Sequence, residues 1–408
     1  MNQQALPYRV CEAAGLLDPN GNIRGTVFGE MSALAAQHGA INVGQGAPSS
    51  PTPQFLIDAV SHFMRAGMNQ YAPPTGVPAL LDAIVAQRSR RYNHTVTRDH
   101  VLVTVGATEA LTSAIMALVP AGGVLLTFEP FYDSYAAACE MAGARLVSVP
   151  LVFDDGVWQP DWAAFDAAVG SADAVLLNTP HNPTGMVLDR DDTVRIFQAC
   201  EDADAWLITD EVYEYLVFDP AEHVSVAALF PDSPRIVTVS SAGKTFNVTG
   251  WKIGWLVAHP QVRQQIQALK QFFSYTSGTP LQPAIAQALN EHEDFADQNR
   301  DALKRCRDVL MESLERVPGI TFNVPAAGYF TVVDFAEVTS HDSHALNELL
   351  TTEFGFTGIP VNRLCRTGSP VAQRLAHALR LSFCKTEDEM REVANRIDRL
   401  AHNLDALK

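Results

Sequence analysis

One lysine of the chain lies where its amine could act as a nucleophile. Lys244 follows an apolar run at 235–240, which predicts a buried strand, and stands among small and apolar residues in SSAGKTFNVTGWKIGW (240–255). At the end of such a strand the side chain is expected to point into a cleft, where partial desolvation disfavours the ammonium form. A neutral amine there can attack an aldehyde and later act as a general base. The alternative is an ordinary surface lysine.

A carboxylate and a phenol follow a second apolar strand. In LITDEVYE (207–214), Asp210 ends the strand and Tyr213 comes three residues later. A buried carboxylate is costly unless it meets a cation or hydrogen-bond donors. A protonated pyridine nitrogen would be such a cation, and the pair would keep the ring an electron sink. Tyr213 could reach an oxygen on the same ring, whereas a helix cap is the alternative role for Asp210.

Two other strand ends carry groups suited to a phosphorylated aromatic ligand. Gly106, Ala107 and Thr108 open a helix directly after a strand, so that free amide groups and the positive end of the helix dipole are available to a phosphate. After the next strand, Tyr132 could stack on a ligand ring. An ordinary strand-to-helix turn and a core aromatic residue are the alternatives.

Three loops are built from proline, asparagine and glycine. The loop LNTPHNPTG (177–185) is rigid because proline fixes φ and disfavours helix at the residue before it. Asn182 can therefore donate to a ring oxygen with little entropy left to lose. The glycines of 41–48 allow backbone to lie close to a ligand, and the loop 69–76 carries the hydroxyl of Tyr71.

From residue 100 onward, short β-rich runs alternate with helical patterns. Such alternation predicts an α/β fold whose mostly parallel sheet is sandwiched by helices. Ligands of such sheets bind beyond the carboxyl ends of the strands, where the motifs above lie. Seven strands are expected in this sheet, at 100–105, 123–128, 145–149, 173–178, 205–209, 235–239 and 253–258.

A chain of 408 residues is long enough for two domains, and its last part predicts a second, smaller α/β domain. We expect a large domain at 46–287 and a small domain built from both termini, 1–45 and 288–408. Outside the large sheet the patterns predict strands near 320–324, 328–334 and 378–383, and helices near 30–38, 53–67, 77–92, 291–317, 343–353 and 386–402.

The composition, 47% apolar and 18% charged, is that of a soluble globular protein. A net charge of −17 argues against nucleic-acid binding, which requires a basic face. The six cysteines are scattered without a Cys-x-x-Cys pair, so we expect a reduced, cytoplasmic protein without a metal site. Neither a signal peptide nor an apolar run long enough to span a membrane is expected.

Together the motifs resemble those of the class I and II aminotransferases, which are pyridoxal-phosphate enzymes of fold type I. The resemblance covers about residues 25 to 400, and GATEAL, NTPHNPTG, ITDEVYE and SSAGKTFNVTGWKIGW occur in the family's order and spacing. Within the family the chain is most similar to the kynurenine, glutamine and methionine aminotransferase branch. RGTVFGEMSALAAQ, NQYAPP and KQFFSYTSGTPLQPA further resemble stretches of bacterial N-succinyldiaminopimelate aminotransferases.

The resemblance implies pyridoxal 5′-phosphate as cofactor and gives individual residues roles. Lys244 would form the Schiff base and shuttle the substrate proton, Asp210 would pair with the pyridine nitrogen, and Tyr213 would contact the ring oxygen. The other implied cofactor contacts are Ala107, Thr108, Tyr132, Asn178, Asn182, Ser241, Lys252 and, from a second subunit, Tyr71. The implied substrate contacts are Arg380, which would fork onto the α-carboxylate, and Gly46, Asn182, Phe28 and Tyr275.

Two positions depart from what many relatives carry. Thr108 stands where kynurenine-type relatives have tyrosine, and Lys252 stands where aspartate-type relatives have arginine. Neither change removes a catalytic group, but the first weakens an assignment to kynurenine. A succinylated diaminopimelate would bring extra carboxylates, for which Arg24 and Arg363 are candidate partners.

The expected reaction is a ping-pong transfer of an amino group from an amino acid to a 2-oxo acid, carried out by a homodimer with shared sites. The resemblance implies N-succinyldiaminopimelate and 2-oxoglutarate as the substrates, in lysine biosynthesis. An aromatic, methionine or glutamine aminotransferase is one alternative, and a cysteine-conjugate β-lyase on the same scaffold is another. A cofactor-binding transcriptional regulator is a third, although the sequence before residue 25 has no room for a basic DNA-binding domain.

Overall fold

The computed structural model describes residues 4–18 and 20–408. Its strands are β1 (Ile41–Asn42), β2 (Val101–Val105), β3 (Val124–Glu129), β4 (Arg145–Asp154), β5 (Val157–Pro160), β6 (Ala174–Asn178), β7 (Trp206–Asp210), β8 (Ile236–Ser241), β9 (Ile253–Ala258), β10 (Thr321–Phe322), β11 (Phe330–Asp334), β12 (Phe356–Thr357), β13 (Ile359–Pro360) and β14 (Ala378–Ser382). Its α-helices are α1 (Leu6–Ala13), α2 (Val27–His38), α3 (Gln54–Arg65), α4 (Pro78–Tyr92), α5 (Gly106–Leu118), α6 (Ser134–Met141), α7 (Trp162–Val169), α8 (Arg190–Asp202), α9 (Val226–Leu229), α10 (Ala242–Thr245), α11 (Pro260–Lys270), α12 (Leu281–Glu291), α13 (Glu293–Glu315), α14 (Ser343–Leu349), α15 (Pro370–Arg374) and α16 (Glu387–Ala401).

The large sheet contains the seven predicted strands and one more. Its strand order is β2-β9-β8-β7-β6-β3-β4-β5. The pairs β8–β7, β7–β6, β6–β3 and β3–β4 are parallel, whereas β9 runs against both of its neighbours. The unpredicted strand β5 forms an antiparallel hairpin with β4 at the sheet edge. It has only four residues of alternating burial, too few to stand out in the sequence.

The central strands are buried on both faces. Every residue of β3, β6, β8 and β9 is buried, which explains why these segments are near-continuous apolar runs. Helices cover both faces of the sheet, as the alternating pattern predicts. The parallel strands end at one edge of the sheet, and the antiparallel strand β9 begins there. This edge therefore gathers the residues that follow β2, β6, β7 and β8 and the residue that precedes β9.

The predicted helices are confirmed within two or three residues of their predicted ends. The helix α2 begins at an N-cap, Thr26, and stops at Gly39, whose left-handed conformation satisfies its last carbonyls. The helices that were not predicted are α1, α7, α8, α9, α10, α11, α12 and α15. Within the described residues, none of the helices combines the length and the apolar character needed to cross a bilayer.

A second sheet lies toward the carboxyl terminus. Its four strands are antiparallel in the order β10-β11-β14-β13, and the long helices α13 and α16 pack together beside it. The predicted helix near 343–353 is α14 followed by a π-helical turn at Leu350–Phe354. The short strands β1 and β12 pair in parallel, so residues from the first part of the chain join this region.

Candidate active site

A cavity of about 300 Å³ lies between the carboxyl edge of the large sheet and the strands β11 and β14. Its wall contains thirteen of the fifteen residues that the sequence analysis selected. They are Phe28, Gly46, Ala107, Thr108, Tyr132, Asn178, Asn182, Asp210, Tyr213, Ser241, Lys244, Lys252 and Arg380. The two others, Tyr71 and Tyr275, lie outside this cavity.

Asp210 is a buried carboxylate at the end of β7. One of its oxygens accepts a hydrogen bond from the Tyr135 hydroxyl at 2.6 Å, and the other is 3.4 Å from the amide nitrogen of Val212. Burial raises the pKa of Asp210 to about 6, although the hydrogen bond from Tyr135 opposes this shift. Within the described residues no cation forms an ion pair with Asp210, although the charge of Lys244 favours its ionised form, and a protonated ring nitrogen would supply a closer partner.

Two asparagines fix the loop beside Asp210. Asn178 ends β6 directly opposite Asp210, and its amide nitrogen donates to the Asp210 carbonyl at 2.9 Å. Its side-chain oxygen accepts from the backbone amide of Asn182 at 2.8 Å. The side-chain oxygen of Asn182 in turn accepts from Arg380 at 2.9 Å, so the amide NH₂ group of Asn182 is left for a ligand.

Lys244 follows β8 on the short helix α10, and its amine points into the cavity. The Nζ atom lies 3.5 Å from the Gly46 carbonyl and within 6 Å of the rings of Tyr213 and Tyr329. Desolvation lowers the pKa of Lys244 to about 8, and the positive charges of Arg380 and Lys252 act in the same direction. The ammonium form still predominates at neutral pH, but the neutral fraction is far larger than that of an ordinary lysine.

The predicted phosphate seat lies where α5 begins. Gly106 turns the chain out of β2 with a φ of 72°, a conformation that glycine adopts without steric cost. The helix α5 has 13 residues, so the first-turn amides at Ala107 and Thr108 have no partner within the helix. Lys252 crosses over this turn, because a Cβ added to Gly106 would lie 3.1 Å from the lysine Nζ. Ser241 lines the same cavity.

Arg380 is a cation that is only 1% exposed. Its guanidinium donates to Asn182 at 2.9 Å and to the Gly44 carbonyl at 2.6 Å, and it lies 3.9 Å from the ring centre of Phe330. Its Nε atom is buried without a hydrogen-bond partner. No carboxylate of residues 4–18 or 20–408 is within ion-pair distance of this guanidinium. A substrate carboxylate would supply the missing anion.

Aromatic rings form the remaining walls. Tyr132 lies 6.5 Å from Phe28 and 5.8 Å from Tyr135, measured between ring centres. Burial raises the pKa of Tyr132, so its phenol stays neutral at physiological pH. Gly46 has to be glycine, because an added Cβ would lie 2.6 Å from a ring atom of Phe330. The loop carrying Gly46 therefore lies flat against the aromatic wall.

Tyr71 and Tyr275 lie together on the surface. Their rings meet edge to face at 5.6 Å, and they are 84% and 43% exposed. Arg24 and Arg363 are also outside the cavity and line a neighbouring hollow. Both arginines donate to the Gly15 carbonyl, at 3.3 Å and 3.0 Å, and both lie within 4 Å of Glu30.

Three aromatic residues of the site were missed by the sequence analysis. Tyr135 binds Asp210, Phe330 lies under Arg380, and Tyr329 donates to the Gly46 carbonyl. Tyr135 lies three residues after the selected Tyr132, so its position was available in the sequence. Tyr329 and Phe330 belong to the second sheet, and no local pattern indicated that this sheet would reach the cavity.

A separate polar cluster lies behind Asp210. Ligand atoms of Glu211, Glu214 and His223 lie within 4.8 Å of one another, a spacing compatible with a metal ion. Both Glu211 oxygens already accept hydrogen bonds, one from Thr209 at 2.9 Å, and the guanidinium of Arg88 is 3.8 Å away. Because protein donors and a cation already satisfy the carboxylates, this cluster carries no metal assignment.

The cavity has one complementary group for each part of a phosphorylated pyridine aldehyde. Lys244 offers an amine to the aldehyde, Asp210 a buried carboxylate to the ring nitrogen, and the start of α5 with Lys252 a seat for the phosphate. The unpartnered Nε of Arg380 leaves a donor for a second, carboxylate-bearing molecule. Fold and site together define a pyridoxal-phosphate enzyme of fold type I.

The sequence model of the family "Aminotransferase class I and II" matches residues 39–397. The chain belongs to this family. Its enzymes use pyridoxal 5′-phosphate, and the chain is accordingly an aminotransferase that takes an amino acid and a 2-oxo acid as substrates. The predicted family, fold class, cofactor and reaction class are confirmed.

Several curated relatives are similar over nearly the whole chain. A probable N-succinyldiaminopimelate aminotransferase DapC of Mycobacterium tuberculosis is 39% identical, covering 92% of this chain and 96% of the relative. A methionine aminotransferase of Escherichia coli is 36% identical over the same shares. Human kynurenine–oxoglutarate transaminase 3 is 32% identical, covering 89% of this chain and 86% of the relative.

Solved structures of aminotransferases superimpose on this chain. The N-succinyldiaminopimelate aminotransferase of Mycobacterium tuberculosis superimposes with a TM-score of 0.88, covering 92% of this chain and 97% of that chain, at 39% identity. The methionine aminotransferase of Escherichia coli superimposes with a TM-score of 0.86 at 36% identity, over the same shares.

Proposed function

We propose that the enzyme transfers an amino group between N-succinyldiaminopimelate and 2-oxoglutarate, a step of lysine biosynthesis. The higher identity to the mycobacterial N-succinyldiaminopimelate enzyme than to the methionine and kynurenine enzymes supports this choice. One observation supports an α-amino acid as the substrate. The guanidinium of Arg380 is buried, has no carboxylate of the described residues beside it, and faces the wall that carries Lys244.

Each residue of the cavity then has a role. The cofactor, when bound, supplies an aldehyde that takes up the amino group and a ring that accepts electrons. Lys244 removes and returns the substrate α-proton, for which its lowered pKa suits it. Asp210 keeps the ring nitrogen protonated, and Tyr213 and Asn182 bind the ring oxygen. Arg380 orients the α-carboxylate so that the α-proton faces Lys244.

The other cofactor contacts hold the ring and the phosphate. Tyr132 stacks on the ring, and Asn178 holds Asp210 and Asn182 in place. The amides of Ala107 and Thr108, the Ser241 hydroxyl and the Lys252 ammonium bind the phosphate. Gly46 and Phe28 bound the space for the substrate.

The central role of Lys244 has a direct test. In Lys244→Ala we expect no borohydride-trappable link between added pyridoxal phosphate and the protein, and at least a thousandfold loss of turnover, on the order of what removing one catalytic group costs. Lys304→Ala, on the distant helix α13, is the matched control and should keep both. Multiple turnovers by Lys244→Ala at a normal rate would refute the assignment.

Arg24 and Arg363 are the proposed partners of the distal carboxylates. Both guanidiniums lie within 4 Å of the Glu30 carboxylate, and the hollow is also lined by Glu12 and Asp18. A substrate carboxylate would therefore compete with these acidic groups for the two arginines. Phe28, at the start of α2, lines the cavity, and Arg24 lies four residues before it in the sequence, so we expect the hollow to lie on this side of the cavity. A long substrate with its α-carboxylate on Arg380 would extend toward this side.

A substrate panel tests the proposed specificity. With glutamate as donor, the enzyme should aminate the succinylated keto-pimelate at least tenfold better, in kcat/KM, than phenylpyruvate or the keto acid of methionine, because a charge-assisted hydrogen bond contributes about 1.5–3 kcal/mol. Arg363→Gln should reduce that preference and leave the rate with short keto acids unchanged. A clear preference for aromatic or thioether acids would instead favour the related aminotransferase activities. Release of pyruvate and ammonia from a cysteine conjugate would favour the β-lyase.

We also propose a homodimer with shared sites, in which Tyr71 reaches the phosphate and Tyr275 the substrate of the other subunit. The exposed rings of Tyr71, Phe272, Phe273 and Tyr275 support this arrangement, because so much clustered aromatic surface is typical of an interface. A cytoplasmic location is proposed as well. The free thiols of all six cysteines support it.

The same proposal divides the chain into a large domain at 46–287 and a small domain at 1–45 and 288–408. All strands of the large sheet fall within the first range, and all strands of the four-stranded sheet fall within the last. The pairing of β1 with β12 supports assigning the first residues to the small domain. The cavity lies at the border of the two ranges.

A further inference from the structure

Tyr329, a buried tyrosine outside the predicted set, shares a hydrogen-bond acceptor with Lys244. Tyr329 is 0% exposed and directly precedes β11. Its hydroxyl donates to the Gly46 carbonyl at 2.9 Å. The Nζ atom of Lys244 lies 3.5 Å from the same oxygen, at the long limit of a hydrogen bond. One backbone oxygen therefore faces two donors, and the tyrosine holds the shorter contact.

The side chain of Tyr329 is fixed by its packing. Its ring meets the ring of Tyr213 edge to face at 5.3 Å and lies 4.7 Å from the ring of Phe330. An added Cβ on Gly46 would come within 2.8 Å of the Tyr329 ring. The ring is thus packed on both sides, and its hydroxyl lies against the Gly46 carbonyl.

The contact bears on the protonation of Lys244. A carbonyl oxygen stabilises an ammonium more than a neutral amine, because the hydrogen bond to a charged donor is stronger. A carbonyl that already accepts a short hydrogen bond has less to offer a second donor. The hydroxyl of Tyr329 therefore weakens the Gly46 carbonyl as an acceptor for the Lys244 ammonium.

We propose that Tyr329 is a positioning residue which, by occupying the Gly46 carbonyl, keeps Lys244 from being bound there as an ammonium and so keeps its amine free to move between cofactor and substrate. This proposal rests on the role given to Lys244 above. Tyr329 does not need to touch the substrate or the cofactor. It acts through the Gly46 carbonyl, and its hydroxyl also interacts with the hydroxyl of Tyr213.

The test uses Tyr329→Phe, which keeps the ring and removes the hydroxyl. The cofactor-free protein is mixed with pyridoxal phosphate, and the rate at which a borohydride-trappable link forms is followed against pH. Without the competing hydroxyl, the midpoint of this profile should rise by about half a unit to one unit, which lowers the rate at neutral pH about three- to tenfold. The acid limb of kcat should move in the same direction, while KM for glutamate stays unchanged.

Two further variants distinguish the effect of losing the Tyr329 hydroxyl from the effect of changed packing. Tyr215→Phe removes the hydroxyl of another buried tyrosine, whose ring faces Arg91, and should leave the profile unchanged. Tyr329→His keeps a hydrogen-bond donor on its ring, so its midpoint should lie closer to that of the unmodified enzyme than the midpoint of Tyr329→Phe. Thermal melting of each cofactor-free variant shows whether the fold is intact, and only the folded fraction enters the rates.

A Tyr329→Phe protein with the midpoint of the unmodified enzyme would overturn the proposal. A shift that Tyr329→His leaves entirely in place would also overturn it, because the effect would then belong to packing. If instead the role proposed for Lys244 is wrong, no borohydride-trappable link forms at Lys244 in the unmodified protein. The two failures are therefore distinguishable.

Discussion

Lys244 and Arg380 both lie in the cavity wall, and burial has a different consequence for the charge of each. Desolvation lowers the pKa of Lys244 to about 8 and that of Arg380 to about 10. At neutral pH the lysine can give up its proton, whereas the arginine keeps its charge. The same environment thus produces a base from one residue and an anion-binding group from the other.

The pH dependence of cofactor attachment follows from the lysine. Only the neutral amine attacks an aldehyde, so attachment of pyridoxal phosphate to the cofactor-free protein should speed up about tenfold per pH unit below 8 and level off above it. Stopped-flow absorbance would measure the rate. Nα-acetyl-lysine, with an ordinary pKa of about 10.4, is the control and should keep accelerating through this range. A protein profile that follows the control would contradict the lowered pKa.

At the scale of elements, the site depends on one edge of the large sheet. Ser241 and Asp210 end parallel strands, and β9 begins at the same edge because it runs in the opposite direction. Lys252, the residue before β9, therefore lies above the start of α5, although the two segments are far apart in the sequence. This crossing brings backbone into close contact at Gly254 and Gly106.

Gly254→Ala should disturb the phosphate seat. The added Cβ would lie 2.5 Å from the carbonyl carbon of Gly106 and 2.7 Å from the amide nitrogen of Ala107, and these backbone atoms cannot rotate away. We expect a loss of about 1–3 kcal/mol in the free energy of unfolding, together with weaker retention of pyridoxal phosphate. Thermal melting and cofactor titration would measure both.

Gly250→Ala is the matched control for this change. Gly250 lies four residues earlier, has an ordinary φ and would place its Cβ more than 4 Å from any other heavy atom outside its immediate chain neighbours. It should melt and bind cofactor like the unmodified protein. Equal behaviour of the two variants would show that the crossing tolerates a methyl group, and the explanation of the seat would have to change.

At the scale of the whole molecule, the cavity is closed by two sheets rather than one. Asp210 ends a strand of the large sheet and Lys244 follows another on α10, whereas Phe330 and Arg380 come from the antiparallel sheet. Tyr213 packs on Tyr329 across this border. A movement between the two sheets would therefore change the distance between the substrate carboxylate and the lysine.

The exposed aromatic surface predicts the oligomeric state. The chain should sediment as a dimer, and Phe272→Glu should shift it toward the monomer with a loss of activity, because the ring of Phe272 is 82% exposed in the single chain. Val157→Glu, at a position that is 62% exposed on the hairpin of β5, is the control and should remain dimeric.

Mixing two inactive variants tests the sharing of sites. Lys244→Ala and Tyr71→Ala dimers, once dissociated and mixed, should regain part of the activity, because a mixed dimer contains one site with both residues intact. A fully active monomer in sedimentation, or mixtures without any recovery, would refute the shared-site arrangement.

The local sequence determined the elements and most of the cavity wall. Apolar runs ending in Asn178, Asp210 and Ser241 predicted strands, and parallel strands bring their carboxyl ends to one edge. Side chains that follow those strands were therefore predictable without knowing the distances between them. The family motifs added Arg380, which no local pattern would have selected.

The tertiary structure decided what surrounds those side chains. That Tyr135 binds Asp210, and that Tyr329 shares an acceptor with Lys244, depends on contacts across 75 and 283 positions of sequence. The pKa of Lys244 likewise depends on burial by elements distant in the chain. Sequence patterns report which face of a strand or helix is apolar, but the partner on that face is set by packing, so these pairings could be found only in the folded chain.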